Sequence, residues 1–146
     1  MHLDGTHTLN ASAETIWALL MDHEVLARVT PSITRLEPQG DDHYIAVAEV
    51  KIGPVEGSFK GNMSVADKKE QEQFTLRMQQ NSQMGNVNAE GQLILNKVSE
   101  EQTEIVFSGD AKLSGTLARM GQRLIGSVAN MLIKQFFKNL EKEIQK

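Results

Sequence analysis

The segment GTLARMGQRLIGSVANMLIKQFFKNLEKEIQK, Gly115 to Lys146, decides the fold, because it is the longest continuous helical signal in the chain. Leu117, Met120, Leu124, Val128, Met131 and Leu132 recur at spacings of three, four and seven, which predicts one apolar stripe of a long helix. The later apolar residues Ile133, Phe136, Phe137, Leu140 and Ile144 centre about 140° away at 3.6 residues per turn. The buried face is therefore expected to change partner between Ala129 and Ile133, with the first half over a cavity and the second half against the N-terminal helices. Gly121 and Gly126 each weaken the first half by about 1 kcal/mol relative to alanine, and leave room for a ligand or for close packing.

Everything before this segment reads as its partner. Leu3, Gly5, His7 and Leu9 alternate with polar residues, as a half-buried first strand requires. Asn10 or Ser12 caps a first short helix carrying Ile16, Trp17, Leu19 and Leu20, and Asp22 caps a second that runs to Arg28 before Pro31 stops it. From Ile33 to Leu113 the period is two, broken by turn signals at Glu37 to Asp42, Gly53-Pro54, Asp67 to Glu70, Met84 to Asn86 and Ser99 to Gln102. These predict six more strands joined as hairpins, so the expected class is α+β: a curved, seven-stranded antiparallel sheet wrapped around a long C-terminal helix, with two short helices after strand one. Residues 1–146 form one domain.

One face of that sheet is apolar and the other wet. The apolar face is rich in small residues: Ala46, Ala48, Gly57, Gly61, Ala89, Gly91, Gly109 and Ala111. They either leave volume unfilled or let a bent sheet approach the helix closely. Its polar members are His7, Tyr44, Gln80 and Thr103.

Composition narrows the function. A net charge of −4 gives no basic face for a phosphate backbone, so nucleic acid is not an expected partner. The absence of cysteine removes disulfides and thiolate chemistry. With no signal-peptide pattern and no apolar run long enough to span a bilayer, a cytoplasmic location is expected. Lys134, Lys138, Lys142 and Lys146 form a basic row that suits a solvated face and the helix C-terminal dipole, and could touch an acidic protein or a membrane surface.

No catalytic constellation emerges. His2 and His7 are five apart in a strand and point to opposite faces, while His23 and His43 sit near loops or strand ends, so no metal is expected. There is no Gly-x-Ser-x-Gly turn, and the stretch Gly85 to Gly91 lacks the Lys-Ser/Thr ending of a phosphate loop.

Several stretches carry a family likeness: Leu3-x-Gly5; Ile16-Trp17 with Leu20; Asp22-x-Glu24-Val25-Leu26-Ala27-Arg28 then Pro31; Lys51-Ile52-Gly53-Pro54-Val55-Glu56-Gly57-Ser58-Phe59-Lys60-Gly61; and Gly121-x-Arg123-Leu124-Ile125 with Phe136-Phe137. Together they resemble the CoxG family of carbon monoxide dehydrogenase subunits, and the element order resembles the helix-grip, START-like superfamily. The resemblance implies a non-catalytic accessory of molybdenum-containing dehydrogenases, acting in maturation or membrane recruitment, or carrying a lipid- or quinone-like ligand.

The leading expectation is a binding protein that holds a hydrophobic small molecule between the sheet and the last helix, lined by Tyr44, Phe59, Met63, Met78, Phe107, Met120, Leu124 and Val128. A second is an assembly factor working through its surface, with Arg28, Lys60 and the lysine row as contacts and a dehydrogenase complex or its maturation machinery as partner. A third is a cyclase- or hydrolase-type enzyme with His7 or Tyr44 as proton donor.

Overall fold

The computed structural model describes residues 1–146. Strand β1 (His2–Leu9) is followed by helices α1 (Ala13–Leu20) and α2 (His23–Val29), then by six strands. These are β2 (Ile33–Pro38), β3 (His43–Ile52), β4 (Val55–Lys69), β5 (Gln73–Ser82), β6 (Gly85–Ser99) and β7 (Gln102–Leu113). Short helix α3 (Gly115–Arg119) and long helix α4 (Gln122–Ile144) complete the chain. Ser12 is the cap of α1, its hydroxyl accepting from Thr15 N at 3.1 Å, and Asp22 Oδ1 caps α2 by accepting from Glu24 N at 2.9 Å. Each cap satisfies an amide that the helix itself leaves without a partner.

All pairings are antiparallel, in the order β1-β7-β6-β5-β4-β3-β2. Successive strands from β2 to β7 are hairpin neighbours, and only the α1–α2 connection crosses from one edge strand, β1, to the other, β2. The register keeps the alternation in step: Met63 lies opposite Met78, Met78 opposite Ala89, Ala89 opposite Ala111, and Leu93 opposite Phe107. One face of the sheet thus receives the apolar set of every strand. Gly61 is required where β4 and β5 close up, because a Cβ there would stand 1.8 Å from the Gln79 carbonyl oxygen.

The core is in two parts. The larger gathers Leu9, Ile16, Leu20, Val29, Ile105 and Leu140, so α1, α2 and the second half of α4 share it with the sheet. The smaller joins Val55 and Phe59 to Leu117, Ile125 and Val128.

The long helical segment is not continuous, which corrects the expectation of one helix from Gly115. Gly121 takes φ +89°, outside the helical region, and α4 restarts after it. The break resets the helical phase. Within α4, Ile125 and Val128 are buried with Leu132 partly buried beside them, and further along Phe137 and Leu140 are buried with Ile133, Phe136 and Ile144 partly buried beside them. Leu124 and Met131, placed by the uninterrupted helix on the buried stripe, are 39% and 57% exposed instead. The buried face changes partner between Leu132 and Ile133, as expected: Leu132 packs against the smaller core and Ile133 against the larger. The second half of α4 packs with α1 and α2, as expected, but the first half, expected over a cavity, packs instead into the smaller core with Val55, Phe59 and Leu117. No helix is long and apolar enough to cross a membrane.

Candidate functional site between the sheet and α4

The inner face of the sheet is incompletely covered. Leu76, Met78, Ala89, Gly91, Leu93, Phe107, Gly109 and Ala111 all face inward and all stay partly exposed. A Cβ added to Gly91 would touch only backbone, Ser108 O at 3.7 Å and Gly109 Cα at 3.9 Å. One added to Gly126, on α4, would meet nothing within 4 Å. Free space therefore lies on both sides of the gap, and the small residues of β6 and β7 do not serve close helix packing there.

A cleft of about 360 Å³ lies between β1 and the second half of α4. Phe107, Ile133 and Phe137 form its apolar wall; His7, Asn130, Lys134, Lys138 and Glu141 form its polar rim. Phe107 is positioned by Gly5, its neighbour in register, since a side chain on residue 5 would come within 2.7 Å of the ring. His7 stacks on Phe137 at 4.6 Å between ring centroids and donates through Nε2 to Glu141 Oε1 at 2.7 Å. This contact joins β1 to α4 across the mouth. Lys134 and Lys138 have no acidic partner within 4.0 Å, so the rim carries two uncommitted cations.

The eight expected lining residues fall into three places. Phe107 lines the cleft, and Met78, Tyr44 and buried Met63 continue the inner face away from it. Phe59 and Val128 are buried in the smaller core, with Met120 packed against it. Leu124 lies on the outward side of α4, and Ile125 takes the inward position. The structure thus brings Tyr44, Met63 and Met78 together and separates them from Phe59, Val128 and Met120. Thr6, Asn130, Ile133, Lys134, Phe137, Lys138 and Glu141 were not among the expected lining residues, though Lys134 and Lys138 were candidate surface contacts. A period-two reading marks His7 as inward, but no local pattern marks Glu141 as its partner 134 residues away.

Other polar groups offer little chemistry. Burial raises the Tyr44 phenol above its ordinary pKa, with the Asp42 carboxylate adding to the shift, so it stays neutral at physiological pH. Thr103, fully buried, donates to the Ala11 carbonyl at 2.8 Å and ties β7 to the start of α1. No three His, Asp or Glu side chains converge into a metal-binding group. A second, wider groove of about 690 Å³ runs across the strands; Arg77, which pairs with Glu90 at 3.3 Å, lines it, and so do the expected lining residues Tyr44, Met63 and Met78. Gln80 is different from all of these: it is 5% exposed on the inner face, and its Nε2 is the only buried side-chain nitrogen or oxygen without a hydrogen-bond partner.

A family model described as CoxG, a carbon monoxide dehydrogenase subunit, matches residues 5–145. Among solved structures, a conserved protein from Geobacillus kaustophilus is 32% identical with a TM-score of 0.96, the match covering 99% of this chain and 95% of that one. A START superfamily protein from Mycobacterium smegmatis is 18% identical with a TM-score of 0.78, covering 99% and 97%. The Zhui aromatase/cyclase from Streptomyces sp. R1128 is 14% identical with a TM-score of 0.75, covering 99% and 93%. The last two likenesses show the shared START-like fold alone. No curated protein matches the sequence.

Proposed function

Because the chain belongs to the CoxG family of carbon monoxide dehydrogenase subunits, we propose that it is a non-catalytic binding protein that holds an apolar, lipid- or quinone-like molecule between the inner sheet face and α4, as an accessory to a carbon monoxide or molybdenum dehydrogenase-type system. The observation that carries this reading is the band of small residues on the inner face, Ala89, Gly91, Gly109 and Ala111, which stays partly exposed. A filled core would bury that band. The cleft is within the usual range of small-molecule sites, roughly 300–1,000 Å³. Burial of about ten methylenes offers roughly 8 kcal/mol before binding entropy is subtracted, so few polar contacts are needed. Phe107 and Met78 are the side chains best placed to touch such a molecule, with Met63 and Tyr44 deeper on the same face.

The test is native mass spectrometry of the purified protein, followed by organic extraction and identification of the bound species. A stoichiometric apolar molecule is the expected result. A bare mass, under conditions that retain ligand on a control protein, removes the reading.

A second reading is an assembly or membrane-recruitment factor, supported by the outer face of α4. That face presents Leu124 and Met131 beside Lys134, Lys138 and Lys142. It predicts partner or vesicle binding that is lost in Lys134→Glu/Lys138→Glu and kept when Gly126→Phe fills the gap. The carrier reading predicts loss of ligand in Gly126→Phe.

A further inference from the structure

The chain carries a net charge of −4, but the cleft between β1 and α4 is formally cationic, with Lys134 and Lys138 set against the single carboxylate of Glu141. That carboxylate is already committed. Its Oε1 accepts from His7 Nε2 at 2.7 Å, while neither lysine has an acidic partner within 4.0 Å. Like charges four residues apart on a helix stand on neighbouring turns and repel each other, so the pair costs stability unless a counter-charge lies between them. The protein supplies none. Asn130, one turn before Lys134, places a carboxamide on the same rim.

Beneath these donors the wall is largely aromatic. Ile133 and Phe137 each directly precede one of the lysines, so the apolar wall and the cations run side by side along α4. Phe137 carries the His7 ring stacked at 4.6 Å and meets Phe107 at 5.7 Å between centroids. Donors above aromatic carbon match a flat molecule with an acceptor-only, charged end. A carboxylate is such an end: it has no proton to set against the donors and can accept from both ammonium groups.

We propose that this cleft binds a small aromatic carboxylate, its ring against Phe107 and Phe137 and its charged end between the ammonium groups of Lys134 and Lys138. The assignment goes beyond the carrier reading, which takes an apolar molecule. At about 360 Å³ the cleft is near the lower end of the range for ligand sites, roughly 300–1,000 Å³, which suits a compact acid better than a long-tailed one. An anionic lipid headgroup would bring the charge without a ring to cover the wall.

The experiment compares 2-naphthoate with 2-acetylnaphthalene, a neutral molecule of nearly the same shape, by titration calorimetry on the full-length protein. The wild type is expected to prefer the acid by roughly tenfold at low ionic strength, because hydrogen bonds to a charged group are about twice as strong as neutral ones. The preference should shrink to within about threefold in about 1 M salt, where the Debye length is about 3 Å. Lys134→Met/Lys138→Met keeps both unbranched stems and removes both charges; it is expected to bring the two affinities within about twofold while still taking up the ketone. Lys134→Gln/Lys138→Gln serves as the second variant should the first aggregate, and a circular dichroism spectrum matching wild type qualifies either. Lys97→Met, at an exposed position of β6, removes a charge away from the cleft and should leave the preference intact. No preference for the acid in the wild type, one that survives in both double variants, or one lost equally in Lys97→Met overturns the site. Uptake of neither probe also overturns it, including the case in which vesicles of phosphatidylglycerol bind through the same lysines; the carrier reading is then decided separately by the mass measurement.

Discussion

Arg28, in the last turn of α2, donates through both Nε and Nη2 to one oxygen of Glu143, at 3.1 and 2.7 Å, and so clamps the far end of α4 to the N-terminal helices. The Glu143 side chain is only 7% exposed and also receives Lys146 Nζ at 2.6 Å. The Lys146 and Arg28 hydrogen bonds hold its carboxyl below the ordinary carboxylate range. A carboxyl whose pKa is lowered on folding contributes stability that is present above its unfolded pKa and lost as pH falls through the folded value. Arg28→Ala should therefore lower the melting temperature at neutral pH. The gap to wild type should close as the buffer is acidified towards about pH 3. Melts across that range check it; a gap independent of pH would show that the clamp works by packing alone.

Relieving an unpaired buried amide should stabilise the empty protein. Gln80→Met is expected to add about 1–3 kcal/mol to the unfolding free energy of delipidated material. Urea denaturation measures it, with the slope unchanged. Destabilisation instead would indicate that the amide has a partner in solution.

Two glycines predict opposite outcomes. Gly61→Ala drives a Cβ into the Gln79 carbonyl, and the backbone of β4 cannot yield without losing its ladder to β5. A loss above about 4 kcal/mol is expected, seen as insoluble expression. Gly126→Ala meets open space and gains about 1 kcal/mol of helix propensity, seen as a higher melting temperature.

The restart at Gly121 makes adjacent residues unequal. Leu124→Ser should change stability by less than about 0.5 kcal/mol, whereas Ile125→Ala should cost about 2–4 kcal/mol. Chemical denaturation of the pair reads the phase of α4 directly; equal costs would contradict it.

The strands were legible because alternation survives along each of them and the turn signals between them are strong: the faces of β4 and β7 follow from Phe59, Met63, Ile105 and Phe107 without three-dimensional information. The same periodic logic failed in the last segment. A glycine inside an apolar helical pattern reads either as a weak helix residue or as a terminus, and the spacing of Leu117, Met120 and Leu124 fits a helix with or without a break at Gly121. The phase of Leu124 depended on that choice. In the site, His7 and Gln80 were visible as polar residues on an apolar face. Their difference was not: His7 finds Glu141 on another element, and Gln80 finds nothing. Satisfaction is a property of three-dimensional neighbours and leaves no trace in spacing.

The seam between β1 and α4 has a kinetic meaning. No backbone hydrogen bond joins these two elements; the His7–Glu141 contact and apolar packing hold them. Parting two strands would tear a cooperative ladder, at a cost comparable to unfolding. Parting helix from edge strand breaks side-chain contacts alone. Helix displacement of this kind runs on the microsecond-to-millisecond scale, while the lifetime of the folded sheet is set separately. The same molecule can open locally and quickly while its sheet endures.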